Sequence, residues 1–411
     1  MRIVGPEHTG AERATTGTAS EVLRAFLMLG LTSFGGPIAH LGYFRNELVL
    51  RRRWLDESAY ADIVSLCQFL PGPASSQVGF SLGLVRAGYL GALAAWVGFT
   101  LPSAVLLVLF AYGARFLSGP MGVGLLHGLK LVAVAIVAQA VWGMARTLCP
   151  DLQRAAIAIA AATVLLFAHS SAVAQIGVIV VGGLVGFRLC RSTQPPAPTS
   201  HLRVPVSHRA AIAALAAFFL LLVLLPLIRS FGAPNSVALF DAFYRSGALV
   251  FGGGHVVLPL LREAVVTPGW VMDDAFLAGY GAAQAVPGPL FTFAAYLGAI
   301  ANTPLHGVPG AVIGLLGIFL PGLLILTGTL PFWDAFRQRS DARAFVAGVN
   351  AAVVGLLGAA LYNPVWTSSV RTVTDFLLAL AGFILLVVWR APPVVVVILT
   401  AIGAVVIAAL G

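Results

Sequence analysis

The stretch SFGGPIAH, residues 33–40, places two glycines and a proline inside an otherwise apolar segment of the chain. Glycine and proline weaken or end a helix, so the sequence predicts a broken helix here rather than a plain membrane span. A related stretch, FGGGH, occupies residues 251–255. Each copy is followed by an arginine, a glutamate, a tryptophan and then a glutamine ahead of Pro-Gly-Pro. The chain is therefore predicted to contain one polytopic unit written twice.

The two halves match residue by residue, in the same order and with nearly the same spacing. The matched pairs are Gly30 with Gly247, Phe34–Gly36 with Phe251–Gly253, Arg45 with Arg262, Glu47 with Glu263, Trp54 with Trp270, Gln68 with Gln284, Pro71–Pro73 with Pro287–Pro289, Pro102 with Pro321 and Lys130 with Asn350. Chance similarity between apolar segments does not explain so long a run of matches. Arg24 and Asp241 also occupy matching positions, which leaves a salt bridge between the halves open.

The composition is that of a multi-spanning membrane protein. Of 411 residues, 59% are hydrophobic and 9% are charged, and the mean hydropathy is +0.96. A soluble fold of this length could not bury so much apolar surface. Apolar runs long enough to cross a bilayer recur along nearly the whole chain. The first partner that the sequence predicts is thus the lipid bilayer, and the first apolar segment is expected to be an uncleaved targeting signal.

Composition divides the chain into a cytoplasmic N-terminal tail (1–20), a first half (21–190), a polar linker plus a connecting span (191–235) and a second half (236–411). If the six segments of the first half all cross, the connecting span makes the number of crossings odd, which inverts the second half. We therefore predict an all-α polytopic membrane protein. It has about 10–13 membrane segments in two inverted-topology repeats with broken or re-entrant helices.

The formal charge of +9 is explained mainly by arginine-rich cytoplasmic loops. By the positive-inside rule, the arginine triplet at 51–53 should lie in the cytoplasm, but a full first crossing would place it outside. It lies inside only if the glycine segment and the Pro-Gly-Pro segment are both re-entrant. The neighbouring arginines and glutamates are expected to form ion pairs at the interface, and the tryptophans are expected to anchor it. The residues assigned to structure and topology are Arg45, Glu47, Arg51, Arg52, Arg53, Trp54, Arg262, Glu263 and Trp270.

Helix breaks at membrane depth suit the binding of an anion. A new helix N-terminus presents unpaired N–H groups and partial positive charge, which favour an oxyanion. Irregular backbone is tolerated there only where it lines a cavity or is buried in protein. The alternative is that the glycines serve close helix packing. The residues predicted to bind substrate are Ser33, Phe34, Gly35, Gly36, Pro37, His40, Gln68, Pro71, Gly72, Pro73, Lys130, Phe251, Gly252, Gly253, Gly254, His255, Gln284, Pro287, Gly288 and Pro289.

The polar side chains in this set have more than one interpretation. Gln68 and Gln284 could donate to an anion at a lower desolvation cost than a charge, or form interhelical hydrogen bonds. His40 and His255 could carry a proton, act as neutral donors or lie at the interface. Lys130, the one lysine of the sequence, either counters a dianion or extends its ammonium group to the membrane surface.

Several kinds of site are not predicted. Cys67, Cys149 and Cys190 stand far apart, with no histidine at metal-ligand spacing, so neither a metal site nor a disulfide framework is expected. Zinc-protease, nucleophile-elbow and phosphate-loop motifs are missing. The basic residues are scattered between spans, which argues against nucleic-acid binding. We expect no enzyme activity, no catalytic residues, no metal and no cofactor.

SFGGPIAH, followed by RNELVLRRRWL (45–55) and QFLPGP (68–73), closely resembles the chromate ion transporter family. FGGGHVVLPLLRE (251–263), followed by QAVPGP (284–289), resembles the second half of the family's long form. The resemblance covers roughly residues 22–400 and implies a multi-pass protein of the bacterial inner membrane that exports chromate and gives chromate resistance. The family's signature positions fall among the residues named above. His255 departs from the family, which would place an aromatic residue there.

The predicted function is a secondary transporter that exports chromate through a site between the two halves. Sulfate or another oxyanion is the alternative cargo, because amide dipoles discriminate weakly between tetrahedral dianions of similar size. An intramembrane enzyme or a scaffold subunit is a third hypothesis, which the lack of paired carboxylates disfavours. The direction of transport, the coupling ion and the oligomeric state stay open, with a homodimer as one arrangement.

Overall fold

Helices make up nearly all of the computed structural model, which describes residues 17–116, 119–168, 171–191, 205–232, 234–337 and 339–410. These residues contain no β-strand, which confirms the predicted all-α class. Residues 1–16 of the predicted tail and 192–204 of the predicted linker lie outside the described residues. The helices are α1 (Ala19–Thr32), α2 (Gly36–Phe44), α3 (Glu57–Phe69), α4 (Ala74–Gly113), α5 (Gly119–Leu148), α6 (Leu152–Phe167), α7 (Ala172–Leu189), α8 (His208–Ser230), α9 (Asn235–Ala248), α10 (Val257–Val265), α11 (Asp273–Ala283), α12 (Phe293–Ile300), α13 (Gly307–Thr329), α14 (Trp333–Arg337), α15 (Ser340–Ala360), α16 (Thr367–Ser369), α17 (Val373–Val387) and α18 (Pro393–Leu410).

Several of these helices can cross a membrane. Within the described part of the chain, five helical stretches are long and apolar enough by length and composition, and they contain α4, α5, α8, α13 and α15. Five shorter helical stretches of the described chain are also apolar by composition, and they correspond to α6, α7, α12, α17 and α18. The chain is therefore a multi-pass membrane protein.

The long helix α4 is in fact a hairpin, because the chain reverses at Ala87–Gly88. Both residues have non-helical backbone angles, and Gly88 has a φ of 63°. A Cβ atom on Gly83 would lie 2.4 Å from the carbonyl oxygen of Gly91, whereas residues eight apart in a straight helix are about 12 Å apart. Residues 74–86 (α4a) and 89–113 (α4b) therefore run antiparallel, and only α4b is a full-length span.

The glycine-interrupted segment of the first half also folds back on itself. Trp54, which follows α2, donates from Nε1 to the Glu21 carboxylate at the start of α1, over 3.2 Å. The same carboxylate pairs with Arg86 at the end of α4a, also at 3.2 Å. Both α1–α2 and α3–α4a thus enter from one end of the molecule and return to it. The sequence prediction left open re-entrant or broken helices, and the structure shows hairpins.

The second half repeats these elements. Helices α9 and α10 flank the second glycine break, and α11 and α12 flank the second Pro-Gly-Pro. The backbone N–H of Asn302, in the turn after α12, donates to the carbonyl of Trp270 over 2.8 Å. In the first half, the guanidinium of Arg86 at the end of α4a correspondingly lies over the ring of Trp54, at 5.4 Å. The α9–α10 and α11–α12 hairpins therefore also share one end of the molecule.

The halves are interlocked by their remaining helices. Helix α5 packs against α17 and α18 of the second half, and α15 packs against α6 and α7 of the first half. Small residues allow the close approach: Gly128 faces Ala401, and Gly348 faces Gly182 and Gly186. Neither half could keep this packing alone.

Helix α8 has no counterpart in the first half and covers one face of the second. It packs against α9 and α13, and the hydroxyl of Tyr244 in α9 donates to the carbonyl of Phe218 in α8 over 3.0 Å. Among the described residues, no helix covers the matching face of the first half, on α1 and α4b, in this way. Leu31 there is 54% exposed, whereas Ala248 at the matching position is 5% exposed.

Candidate functional site

The four predicted breaks meet through two matching hydrogen bonds. The N–H of Gly72, in the first Pro-Gly-Pro, donates to the carbonyl of Val250, next to the second glycine break, over 2.7 Å. The N–H of Gly288, in the second Pro-Gly-Pro, donates to the carbonyl of Ser33, next to the first glycine break, over 2.9 Å. Each half thus supplies one partner to each bond, and the four segments form one cluster of breaks.

The two glycine breaks also touch each other. A Cβ atom on Gly254 would lie 3.4 Å from Cγ of Pro37. Gly35, Gly36, Gly252 and Gly253 all have positive φ angles, a conformation that L-residues with side chains rarely adopt. The glycines are therefore required by the backbone shape of the breaks.

Helices that start at the breaks have no side-chain caps. The residues at these four starts are Gly35, Pro73, Gly253 and Pro289, and none forms a capping hydrogen bond through a side chain. Helices that start at the ends of the molecule include several with such caps, for instance α3 and α8. Uncapped helix starts carry partial positive charge on their N–H groups, so the cluster of breaks is electrostatically suited to an anion.

Both histidines lie beside this cluster, inside the protein rather than at the interface. His40 is 1% exposed, and its Nδ1 is 3.3 Å from Oγ of Ser75. Nδ1 of His255 is 2.7 Å from the hydroxyl of Tyr280, which is fully buried. Each histidine therefore bonds a hydroxyl on a helix that borders the Pro-Gly-Pro of its own half. Such a neutral pair can pass or share a proton, and it can also fix the ring as a donor.

The two predicted glutamines lie in different surroundings. Gln68 is exposed on α3, whereas Nε2 of Gln284 is buried without a hydrogen-bond partner among the described residues. The glutamine that does join the first Pro-Gly-Pro is Gln77, which is fully buried. Its Nε2 donates to the carbonyls of Pro71 and Gly322, at 2.9 Å each. Comparison of the repeats could not find it, because the matching position holds a phenylalanine.

Other polar groups near the breaks were absent from the predicted substrate-binding residues, although Asn350 was matched with Lys130. The hydroxyl of Ser103, on α4b, donates to Thr292 over 2.6 Å, and Thr292 in turn donates to the carbonyl of Pro289 over 2.7 Å. Asn350 lies against the second break, since a Cβ atom on Gly252 would be 3.4 Å from its Oδ1. Neutral hydroxyl and amide groups, rather than charges, therefore surround the cluster. Scattered serines and threonines in apolar helices gave no pattern by which to select these ones.

Lys130 lies apart from the cluster. It is 7% exposed, and its ammonium group is 2.9 Å from the carboxylate of Asp274, in the first turn of α11. Gln284 and the second Pro-Gly-Pro follow the other end of that helix, about 15 Å away at 1.5 Å per residue. The ammonium group is thus engaged by an exposed carboxylate toward the end of the molecule.

The interface arginines pair with acids at the start of the next helix rather than with the adjacent glutamates. Arg45 bonds Glu57 at 2.7 Å, and at the matching position Arg262 bonds Asp273, also at 2.7 Å. The two contacts occupy corresponding places in the two repeats. They tie each glycine hairpin to the hairpin that follows it.

The arginine triplet closes the first hairpin. Glu47 accepts from both Arg51 and Arg52, and Arg53 has a φ of 53°, which turns the chain toward α3. The guanidinium of Arg52 stacks over the ring of Trp54 at 5.9 Å. These residues thus fix the turn between the first two hairpins.

Among the residues that the structure describes, this arrangement leaves two polar atoms near the breaks without partners. Oγ of Ser33 and Oδ1 of Asn350 are buried and, within the described residues, have no hydrogen-bond partner. Buried polar groups in proteins nearly always have partners, so such atoms point to a place where a polar ligand passes. The part of the chain that the structure describes contains no group of three or more metal-ligating side chains.

The chain as a whole is similar to known transport proteins. A family model described as "Chromate transporter" matches residues 20–187 and 237–407, one match in each half. The chromate transport protein of Pseudomonas aeruginosa is 28% identical over 98% of this chain and 97% of its own length. The chromate transport protein of Cupriavidus metallidurans is 28% identical over 92% and 89%, and the probable chromate transport protein of Synechococcus elongatus is 28% identical over 89% and 88%. No solved structure matches the chain.

Proposed function

Because the chain belongs to the chromate transporter family, we propose that it exports chromate from the bacterial cytoplasm through the cluster of breaks and thereby gives chromate resistance. The observation that carries this proposal is the pair of matching hydrogen bonds, Gly72 to Val250 and Gly288 to Ser33, which brings four uncapped helix starts together. Helix N-termini and neutral donors can hold a dianion without a fixed countercharge that would trap it. The protein acts as a carrier and not as an enzyme.

The two halves have opposite orientations in this proposal. A Cβ atom on Gly307, at the start of α13, would lie 2.7 Å from the hydroxyl of Tyr112, at the end of α4b. The ring of Trp96, in the first third of α4b, meets the ring of Phe319, near the middle of α13, with centroids 5.8 Å apart. Helices α4b and α13 therefore run antiparallel, although each follows the Pro-Gly-Pro hairpin of its own half. This supports an inverted repeat with four hairpins and the crossings α4b, α5, α6, α7, α8, α13, α15, α17 and α18.

Arginine distribution then gives the orientation in the inner membrane. We take the crossings to alternate in direction from α4b onward. At the end of the molecule where α1 begins and α4a ends, the arginines then include Arg51, Arg52, Arg53, Arg86, Arg146, Arg154, Arg188, Arg191, Arg209, Arg339, Arg343 and Arg390. Those at the opposite end include Arg229, Arg262 and Arg371. The arginine-rich end is cytoplasmic by the positive-inside rule.

The membrane potential favours export of such a substrate. Each elementary charge that crosses a potential of 100 mV changes the free energy by about 2.3 kcal/mol. The free energy of a dianion therefore falls by about 4.6 kcal/mol when it leaves a negative interior. A neutral site is suited to this driving force because it need not hold the dianion tightly. If proton entry is coupled to export through His40 or His255, the proton gradient adds to this driving force.

A homodimer completes the proposal. Leu31, on α1, is 54% exposed, while α8 covers the matching face of the second half. A second copy placed on this face would occupy the position that α8 has in the second half. Leu31→Cys is expected to cross-link between copies in native membranes, and cross-linking no greater than that of Leu152→Cys on α6 would contradict the dimer.

Export is tested by expression in a chromate-sensitive host with measurement of accumulated chromate. We expect accumulation to fall relative to an empty vector. Unchanged accumulation, with membrane expression confirmed, would overturn the proposal. Everted vesicles then identify the cargo, because sulfate competes with chromate uptake if it shares the site. Flux in pure proteoliposomes excludes the enzyme and scaffold alternatives.

A further inference from the structure

An open cavity of about 280 Å³ lies between α7, α8, α9 and α10. In the orientation above it opens at the end of the molecule outside the cytoplasm. Its volume can hold a tetrahedral oxyanion with several waters, since a water occupies about 30 Å³. The polar side chains in its wall are those of Gln175, Arg229, Arg245, Ser246, Glu263 and Thr267.

Two arginines in this wall are held by one buried carboxylate. Asp241 is fully buried, and its Oδ2 is 2.9 Å from Nη2 of Arg245 and 3.6 Å from Nη1 of Arg229. The side chains of Arg245 and Arg229 are 34% and 43% exposed. One carboxylate neutralises one guanidinium, so the three groups together present one positive charge to the cavity. The salt bridge between Asp241 and Arg24 that the sequence left open does not form.

One end of the cavity lies close to the cluster of breaks along α9. Ser246 and Leu249 form part of its wall, and Leu249 directly precedes Val250, whose carbonyl accepts from Gly72. Ser246 donates to the carbonyl of Ala242 over 2.8 Å, so its hydroxyl is fixed on α9. An anion leaving the breaks on this side would meet the arginines within about two helical turns, or roughly 11 Å.

This charge arrangement belongs to the second half alone. The positions of the first half that match Asp241 and Arg245 hold Arg24 and Met28, and Arg229 lies on the unrepeated α8. The repeated fold therefore forms without these charges. Their presence on one side of the molecule calls for a role tied to that side.

Glu263 faces the same cavity from α10 and opposes the arginines. Its carboxylate accepts from the hydroxyl of Thr267 over 2.8 Å. With Asp241 and Glu263 opposite Arg229 and Arg245, the four charges sum to zero, so an oxyanion would bind weakly, through the guanidinium N–H donors and not through a net charge. Weak attraction suits a site of passage, where tight binding would slow transport.

We propose that this cavity is the outer anion site of the carrier, in which Arg229 and Arg245 bind a tetrahedral oxyanion on its way between the breaks and the outside. The place of this site in transport rests on the proposed function. The binding of an oxyanion to the cavity can be measured without transport. Guanidinium groups suit this ligand because their N–H donors match the geometry of an oxyanion.

The test places a thiol in the wall and asks whether an oxyanion protects it. Thr267→Cys is made in a chain with Cys67, Cys149 and Cys190 replaced by serine, and a membrane-impermeant thiol reagent is applied to right-side-out and everted vesicles. We expect modification from the outer side and a roughly five-fold slower rate with saturating sulfate. Absence of protection, or modification only in everted vesicles, would overturn the proposal.

Variants of the arginines then assign the binding groups. Arg229→Gln is expected to raise the sulfate concentration for half-protection about five-fold, while Arg229→Lys raises it less. Arg245→Gln alone would leave the buried Asp241 carboxylate without its nearest positive charge. The double change Asp241→Asn with Arg245→Gln is therefore used as well. Arg371→Gln, on the same side but away from the cavity, is the matched control. Unchanged protection in both arginine variants would contradict the assignment.

The same vesicles separate this inference from the proposed function. If wild-type protein shows protection at Thr267→Cys but no chromate flux, the anion site stands and the export proposal fails. If flux is normal and protection is absent, export stands and the outer site fails. Glu263→Gln gives a further check, since loss of the opposing charge is expected to lower the half-protecting concentration of sulfate.

Discussion

The backbone N–H of Gly72 donates to the carbonyl of Val250 over 2.7 Å, and this bond joins the first Pro-Gly-Pro to the second glycine break. Its counterpart joins Gly288 to Ser33. In each case the donor is a glycine with a positive φ, 118° for Gly72 and 98° for Gly288. The bonds hold irregular backbone at the centre of a membrane protein, where an unpaired N–H or carbonyl costs several kcal/mol.

Gly72→Ala is expected to abolish transport and to lower stability by about 1–3 kcal/mol. The alanine would have to keep an unfavourable positive φ. Its Cβ atom would lie 3.0 Å from both the Gly322 backbone and the Gln77 amide. Thermal stability in detergent and chromate flux in vesicles measure the two effects. Gly143→Ala is the matched control, because nothing lies within 4 Å of its Cβ position on α5. A Gly72→Ala variant as active and stable as this control would contradict the role of the break.

Gln77 and Gln68 form a natural pair of matched variants. Gln77→Ala removes two buried hydrogen bonds to carbonyls of different halves, so it is expected to cost about 1–3 kcal/mol and most of the flux. Gln68→Ala changes an exposed side chain and is expected to stay within about 0.5 kcal/mol of wild type. Unfolding midpoints and initial flux rates check both. Larger loss in Gln68→Ala would show that the sequence prediction chose the right glutamine.

The sequence predicted the breaks well because their cause is local. Gly35, Gly36 and the two Pro-Gly-Pro motifs disrupt helices through their own backbone chemistry, and their recurrence marked the repeat. Which segments then meet was not local information. The bond from Gly72 to Val250 joins residues of different halves, and no periodicity in either segment specifies it.

Side-chain partners were harder to predict for the same reason. Arg45 has an acid two residues away in Glu47, yet it bonds Glu57, because the hairpin brings the start of α3 alongside. Lys130 looked like a cation for a dianion, but its ammonium group reaches Asp274. Sequence identifies which residues can pair, while helix direction and tilt decide which of them do.

The pair His255–Tyr280 is expected to affect the pH dependence of transport. The ring and the hydroxyl are 2.7 Å apart beside the second break. If His255 carries a proton, His255→Gln flattens the dependence of flux on pH, and Tyr280→Phe shifts it by removing the hydrogen bond. Flux is measured at fixed membrane potential between pH 6 and 8, a range that brackets the unperturbed histidine near 6.5. His306→Gln, which alters a histidine in the turn before α13, serves as control. Unchanged pH profiles in both test variants would make His255 a structural donor only.

Substitutions at the first glycine break can distinguish a role in anion binding from a role in helix packing. Gly36 has open space where a side chain would stand, and a Cβ on Gly35 would meet only Ala39, at 3.1 Å. A bulky side chain at Gly35 would therefore not displace a neighbouring helix, although a φ of 99° strains it. Gly35→Leu is expected to insert in the membrane at wild-type levels and to reduce chromate flux at least ten-fold, because the side chain would cover the uncapped start of α2. Gly42→Leu, on the same helix and also in open space, should keep most of the flux. Normal flux in Gly35→Leu would mean that the anion passes elsewhere and that the first break is a structural turn.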